Sequence, residues 1–309
     1  VTVLDGVKKL VPNASVRYAE GVSGVIGAAV DKAAIKEAVT LAATSDAVIL
    51  TLGEPQGDSG EGNSKLDLEL PAAQYELLDA VVAANKNTAV LLFSGRPLAI
   101  TRLSRTAPAI LEVWQPGTEG GSAAANLLFG KVAPEGKLPA SFPAFTGQCP
   151  IYYNRYNTGR PVANDTKRVS YSSSYIDGPV RPLYPFGYGL TYTTFGYRDL
   201  KISSDTMKRG GTVTVSATVK NEGKVAATET VQLYTRDLVG SAVRPIKELK
   251  GYKKVTLAPG QETVVSFEIT EDMLAFYGAD LTRKAESGEF RAFIGTNSDV
   301  VEYVTFRLE

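Results

Sequence analysis

A chain of 309 residues, 44% hydrophobic and 21% charged, has ordinary globular composition and is long enough for two domains with separate cores. Its 33 basic residues balance 33 acidic ones with no long run of either sign, so the sequence offers no electrostatic footprint for nucleic acid or an anionic membrane. With no histidine and a single cysteine, Cys149, it excludes internal disulfides, thiolate zinc sites, histidine-ligated metals and Ser/His/Asp or Cys/His catalysis, which leaves Asp, Glu, Tyr and Lys for acid/base work.

The opening VTVLDGVKKL has neither a starting Met nor a signal pattern, and no apolar run approaches a membrane span. The chain therefore reads as soluble, and as processed or cut from something longer. Val3, Leu4, Val7 and Leu10 make one apolar face of a helix; Ser15 to Ala19 reads as a short strand, Ala33 to Thr44 as an alanine-rich helix, and Ala47 to Leu52 as a buried parallel strand.

A long polar loop follows, from Leu52 to Leu70, with glycines at 53, 57, 60 and 62 around the carboxylates Glu54, Asp58 and Glu61. Such a loop can bend sharply and hold an acid in an unusual place. On the residues alone, Glu54, Asp58 and Glu61 compete for that role, or are no more than solvated loop acids; Asp58 is expected as a turn former or a polar neighbour of the site.

Pro71 opens a helix through about Asn85, and strand Ala89 to Phe93, helix Pro97 to Ser104, strand Ala109 to Val113 and helix Glu119 to Phe129 complete an alternating series. This predicts an α/β domain with a mostly parallel sheet, although a helix comes first and only about four strands are visible, so an initial strand is expected to be missing. Ligands in such sheets sit beyond the carboxyl ends of the strands, here Leu52 to Glu54, Phe93 to Pro97 and Trp114 to Gly121. Arg96 is expected to tie these loops together, Trp114 to lie in the core, and Glu119 to cap its helix. Gly117 to Gly121 lacks a phosphate-loop lysine and the spacing of a dinucleotide fingerprint, which makes close helix-to-sheet packing the better use of its glycines than a phosphate.

Regular periodicity fades toward Tyr197 in a stretch rich in Tyr, Pro, Ser, Asn and Gly. Its rings suit sugar stacking, or they clamp two domains together; both readings stay open. From Arg198 the period becomes two: Thr212 to Val219, Glu229 to Thr235, Leu249 to Leu257, Thr263 to Ile269, Glu289 to Ile294 and Val300 to Leu308 read as strands of a sandwich of roughly seven strands, of the immunoglobulin or fibronectin type III kind. The predicted organisation is an α/β domain over residues 1–145, a tyrosine-rich interdomain segment over 146–197, and an all-β, fibronectin type III-like domain over 198–309.

The motifs GEPQGDSGEGNSK, LDLELPAAQYELLDAV, LLFSGRPLAI, WQPGTEGGSAAANLLFGKVAPEGKLPASFP, IYYNRYNTGRP and YPFGYGLTYTTF, in that order, resemble glycoside hydrolase family 3, in particular its bacterial periplasmic β-glucosidases. The resemblance spans essentially the whole chain. It implies an architecture of N-terminal barrel, α/β sandwich and fibronectin type III domain, of which this chain holds the last two. The implied general acid/base is Glu61, in Ser59 to Lys65, while the aspartate nucleophile and most of the sugar-binding residues belong to the barrel. Lys65 stands where many relatives have Arg, which keeps the charge and loses the bidentate fork.

The implied activity is exo-acting, retaining hydrolysis of terminal β-linked glucose, with the chain alone inactive; β-xylosidase or N-acetylglucosaminidase activity is the alternative within the family. Outside it stand a non-catalytic carbohydrate-binding or structural module and a nucleotide-binding α/β domain. No metal or organic cofactor is implied. Expected partners are a β-glucoside or oligosaccharide and the N-terminal barrel, with a homo-oligomer left open, and the expected location is periplasmic or secreted.

Overall fold

A computed structural model describes residues 1–162 and 170–309. Its contacts divide the chain into two compact units, the first comprising residues 1–132 and 142–149, the second residues 133–141 and 150–309.

The first unit alternates helices with a three-stranded parallel sheet. Helix α1 (Val3–Leu10) starts at a reciprocal cap, in which Asp5 N donates to Thr2 Oγ1 at 3.1 Å and Thr2 N donates back to Asp5 Oδ2 at 3.3 Å. Helix α2 (Lys32–Ala43) is capped by the Asp31 carboxylate, which accepts from Ala33 N and Ala34 N. Strand β1 (Val48–Gly53), helix α3 (Ala72–Ala84), strand β2 (Thr88–Phe93), helix α4 (Thr101–Thr106), strand β3 (Ala109–Glu112) and helix α5 (Gly120–Leu128) follow. The strand order is β1-β2-β3, with Gly53 opposite Phe93 and Leu92 opposite Glu112, so all three strands end at the same side. Val90, Leu91 and Leu92 are fully buried, as a strand covered on both faces requires.

Two expectations fail here. Ser15 to Ala19 forms no strand: its side chains stay largely exposed, and Arg17 reaches Thr44 O at 2.8 Å and Ser45 Oγ at 3.0 Å instead of aligning with a sheet. The helix expected from Pro97 begins only at Thr101, because Leu98, Ala99 and Ile100 are used as core and Ala99 N donates to Leu68 O at 2.9 Å. Gly120 and Gly121 serve close packing, but against Pro116 and the start of α1 where packing on the sheet was expected. A Cβ on Gly121 would stand 2.0 Å from Thr2 O, so only glycine lets α5 lie against the start of α1.

The second unit is a pair of facing sheets, antiparallel except where β5 joins β13 in parallel. Strands β4 (Phe195–Ile202), β5 (Thr206–Met207), β6 (Thr212–Asn221), β7 (Ala227–Asp237), β8 (Glu248–Leu257) and β9 (Glu262–Thr270) lead to a one-turn helix α6 (Glu271–Leu274). A short hairpin of β10 (Phe276–Tyr277) and β11 (Arg283–Lys284) precedes β12 (Gly288–Gly295) and β13 (Val304–Leu308). The sheets are β4-β6-β9 and β5-β13-β12-β7-β8. Val213, Val215, Ala217 and Val219 alternate into the shared core opposite Val231, Leu233, Ile294 and Phe306. The last strand starts at Val304 and not at Val300, since Lys247 Nζ takes Ser298 O at 2.8 Å and also Val300 O, holding that stretch as a loop.

The segment expected as tyrosine-rich and interdomain is divided: residues 146–149 belong to the first unit and the rest, from Pro150, to the second, except residues 163–169, which lie outside the described residues. Tyr153 stacks on Phe186 with ring centroids 4.3 Å apart, meets Tyr234 edge-on at 6.0 Å, and accepts Leu249 N at its hydroxyl at 3.2 Å. The tract 133–141 joins it through Lys137, whose ammonium lies 3.2 Å from Glu229. Among the described residues no helix is long and apolar enough to cross a membrane.

Candidate active site

Because β1 and β2 run in parallel register, Glu54, Ser94, Gly95 and Arg96 emerge together at their carboxyl ends. Gln74, buried on α3, fixes the end of β1: its amide accepts Gly53 N at 2.8 Å and donates to Gly53 O at 2.7 Å. Gly53 itself, at φ +138°, lies so close to β2 that a Cβ would stand 1.9 Å from Phe93 O. The chain then turns into the polar loop from a backbone that only glycine accommodates.

Glu54 is the buried centre of this corner. Its side chain is 2% exposed, with Oε1 3.2 Å from Lys65 Nζ and 3.3 Å from Arg96 Nε, while Oε2 accepts Gly95 N at 3.3 Å. A carboxylate so placed is compensated by two cations and is structural. Arg96 does what the sequence suggested and ties the loops: its Nη2 donates to the carbonyls of Asp58 and Asn63, the latter at 3.1 Å. Lys65 finds its role in the same cluster, where one ammonium contact with Glu54 suffices and no fork is needed.

Asp58 closes a single 3₁₀ turn (Gln56–Asp58), its N–H donating to Pro55 O at 3.0 Å. Ser59 then lies against Gly95, where a Cβ would stand 1.9 Å from Ser59 Oγ. Next comes a tight turn in which Asn63 N donates to Gly60 O at 3.2 Å, with Gly62 at φ +79° in the third position, where positive φ is required. Glu61 is the corner of that turn and is exposed. Of the three competing carboxylates, Glu54 is locked in ion pairs and Asp58 is half-buried, so Glu61 is the one free to meet a ligand.

Glu112, at the end of β3, escaped the sequence reading. Its Oε1 accepts Trp114 N at 2.8 Å and Ser94 Oγ at 3.2 Å, while Oε2 is buried without a hydrogen-bond partner. Burial pushes this carboxyl up to about 7, and the Glu54 charge adds to the effect, against the two hydrogen bonds that favour ionisation. Nothing in one sequence marks it, since an acid at a strand end is commonplace.

Trp114 is half-buried, adopts φ +51°, and meets Phe142 edge-on with centroids 5.6 Å apart, so it is packed at the rim rather than enclosed in the core. Glu119 precedes α5 without capping it through its side chain; the carboxylate accepts Ser122 Oγ at 3.0 Å instead. Among the described residues no group of three or more His, Cys, Asp or Glu could hold a metal ion. The chemistry on offer is proton exchange by one exposed carboxyl on a firmly seated turn, at the strand ends where α/β sheets bind ligands.

Comparison with known proteins shows the family to which this fold belongs. Residues 1–192 match the glycosyl hydrolase family 3 C-terminal domain and residues 229–298 a fibronectin type III-like domain. A periplasmic β-glucosidase of Salmonella typhimurium is 42% identical over 326 residues, spanning all of this chain and 42% of that protein. A β-xylosidase of Formosa agariphila is 39% identical, over the whole chain and 41% of its own length. Among solved structures, a mutant β-glucosidase from Listeria innocua in complex with laminaribiose superposes with a TM-score of 0.90 and 37% identity, over 99% of this chain and 41% of that one. The chain thus spans about two fifths of the length of these relatives. With an α/β sandwich followed by a fibronectin type III-like β-sandwich, and with matches of this extent, the chain belongs to glycosyl hydrolase family 3.

Proposed function

We propose that this chain is the acid/base-bearing portion of an exo-acting, retaining β-glucosidase that releases terminal β-D-glucosyl residues. The observation that carries the reading is Glu61, exposed on the corner of a turn whose flanks are pinned. A retaining glycosidase needs two carboxyl groups roughly 5 Å apart across the scissile bond. One attacks the anomeric carbon; the other donates a proton to the leaving oxygen and then deprotonates water. Glu61 takes the second role, and an aspartate on an N-terminal barrel outside this chain takes the first. Alone, the chain is inactive, with half of the pair.

Support for the substrate class comes from the β-glucosidase names of its relatives, and support for a periplasmic or secreted location from the periplasmic β-glucosidase among them. The β-xylosidase relative keeps xylosides as a second reading. Paired assays on aryl β-glucosides and β-xylosides, with the chain alone and joined to the additional portion its longer relatives possess, test the proposal. Turnover is expected only for the joined form and faster on glucosides. Hydrolysis by the isolated chain overturns the division of labour, and a preference for xylosides overturns the sugar.

A further inference from the structure

We propose that Arg96 is a positioning residue for Glu61, acting through the backbone of the turn that carries it. The inference rests on the reading of Glu61 as acid/base and adds what fixes its aim. The two carbonyls that Arg96 Nη2 takes, those of Asp58 and Asn63, lie three residues before and two residues after Glu61. One guanidinium therefore grips both flanks of the turn. Asn63 closes the gap between them, its side-chain amide donating to Gly57 O at 3.0 Å and Ser59 O at 3.4 Å, and its N–H to Gly60 O. Every residue from Gly57 to Gly60, and Asn63, is thus held through its backbone, and Glu61 with Gly62 forms the projecting corner.

Arg96 is itself aimed. Its Nε faces the buried Glu54 carboxylate at 3.3 Å, and Glu54 is anchored from the other side by Lys65 and by Gly95 N. A planar group with donors in two fixed directions suits this task, Nε toward Glu54 and Nη2 toward both carbonyls; a lysine ammonium is a single nitrogen and cannot stay beside Glu54 and hold the two carbonyls from separate, rigidly spaced donors. The glycines flanking Glu61, at φ +128° and +79°, give the corner no rigidity of their own, so the carboxyl's direction depends on this external grip.

The test is Arg96→Lys, which retains the buried charge and removes the grip. In the chain joined to the additional portion of its relatives, kcat on glucosides with poor leaving groups is expected to fall roughly ten- to a hundredfold, since misplacing a catalytic group by about 1 Å costs that order. Activated aryl glucosides, which need little protonation, should lose no more than about threefold. In the 309-residue chain, amide exchange at Asn63, whose N–H the turn engages, should accelerate while β1 and β2 keep their protection. Equal losses on both substrate classes, or unchanged exchange at the turn, overturn the inference. Glu61→Gln run in parallel separates the two claims: if it is selective for poor leaving groups and Arg96→Lys is not, only the positioning role falls, and if it is not selective both fall.

Discussion

Each unit of the protein buries a glutamate against cations, and the two arrangements differ in where they end. In the β unit, Glu229 is 3% exposed and receives Tyr197 Oη at 2.9 Å and Lys137 Nζ at 3.2 Å, while the same ammonium donates to Gly189 O at 2.9 Å and Thr296 Oγ1 at 3.1 Å. Every arm of that network terminates on a group that is itself at least partly buried. In the α/β unit, the Glu54 cluster passes through Arg96 to the carbonyls of a surface turn and stops at an exposed acid. A closed network fixes a fold; on the proposed function, the open one transmits rigidity to the turn that presents Glu61 to a ligand.

The sharpest way to break the comparison is to cut the closed network. Lys137→Ala leaves the Glu229 carboxylate buried with only the Tyr197 hydroxyl, and removing one partner of a buried pair destabilises by about 3–5 kcal/mol. Denaturant unfolding followed by circular dichroism should show the β unit melting far earlier, with the α/β unit unaffected. A loss below about 1 kcal/mol would place Glu229 outside the determinants of the fold. Tyr197 gives a second view of the same site, since burial and the Glu229 charge keep its hydroxyl protonated throughout the accessible range.

Glu112 sharpens the comparison from the open side. Its pKa rises from 4.5 to about 7 on folding, so its contribution to stability is fully present below pH 4.5 and is lost as pH rises through 7. That displacement corresponds to ~3 kcal/mol. Glu112→Gln, which keeps an oxygen to accept Trp114 N, should match the parent near pH 4 and exceed it by about that amount near pH 8. Trp114 is the only tryptophan, so its fluorescence should titrate near neutrality in the parent and be flat in the variant. A pH-independent stability difference would mean that Glu112 does not titrate in this window.

Much of the fold was legible because burial imposes a period. Thr212 to Val219 carries that signal as alternation and Ala89 to Phe93 as an unbroken apolar run, and each strand formed within two residues of its predicted bounds. Ser15 to Ala19 has the same alternation with no partner strand to bury it, so period alone misled. The site was legible only in part. The glycine spacing around Glu61 showed a sharp turn, but Glu54 and Arg96 are 42 residues apart, and their pairing needs the parallel register that sets Gly53 opposite Phe93. Reading the two strands as neighbours ending in polar turns was the available clue. Lys137 was harder still: PEGKLP reads as the tail of the α/β domain, and its companion carboxylate lies in a strand 92 residues later.

A smaller perturbation separates seat from fold. Gly95→Ala puts a methyl where Ser59 Oγ now lies; the hydroxyl can rotate away, but Ser59 Cβ, 2.7 Å from that methyl, moves only with its backbone, so the cost should be about 1–3 kcal/mol. The turn, though, must shift with Ser59, and a proton donor displaced by a fraction of an ångström loses much more than the fold does. In the joined enzyme, activity on poor leaving groups should fall by at least about tenfold while the melting temperature drops by several degrees. Parallel losses in both would make the strand-end seat a matter of folding alone.

The smallest structural effect belongs to Glu61 itself. Its side chain is exposed at a turn corner, where substitutions ordinarily change stability by no more than about 0.5 kcal/mol, so Glu61→Gln should unfold with the parent's midpoint and slope. Its kinetic effect should be the largest of the series: about 10²–10⁴-fold on glucosides that need a proton and far less on activated aryl glucosides. Such a combination, maximal for chemistry and minimal for stability, is what separates an open network's end point from any member of a closed one. A stability loss above about 1 kcal/mol would mean that Glu61 has a partner within the fold, and the contrast between the two buried clusters would then lose its functional meaning.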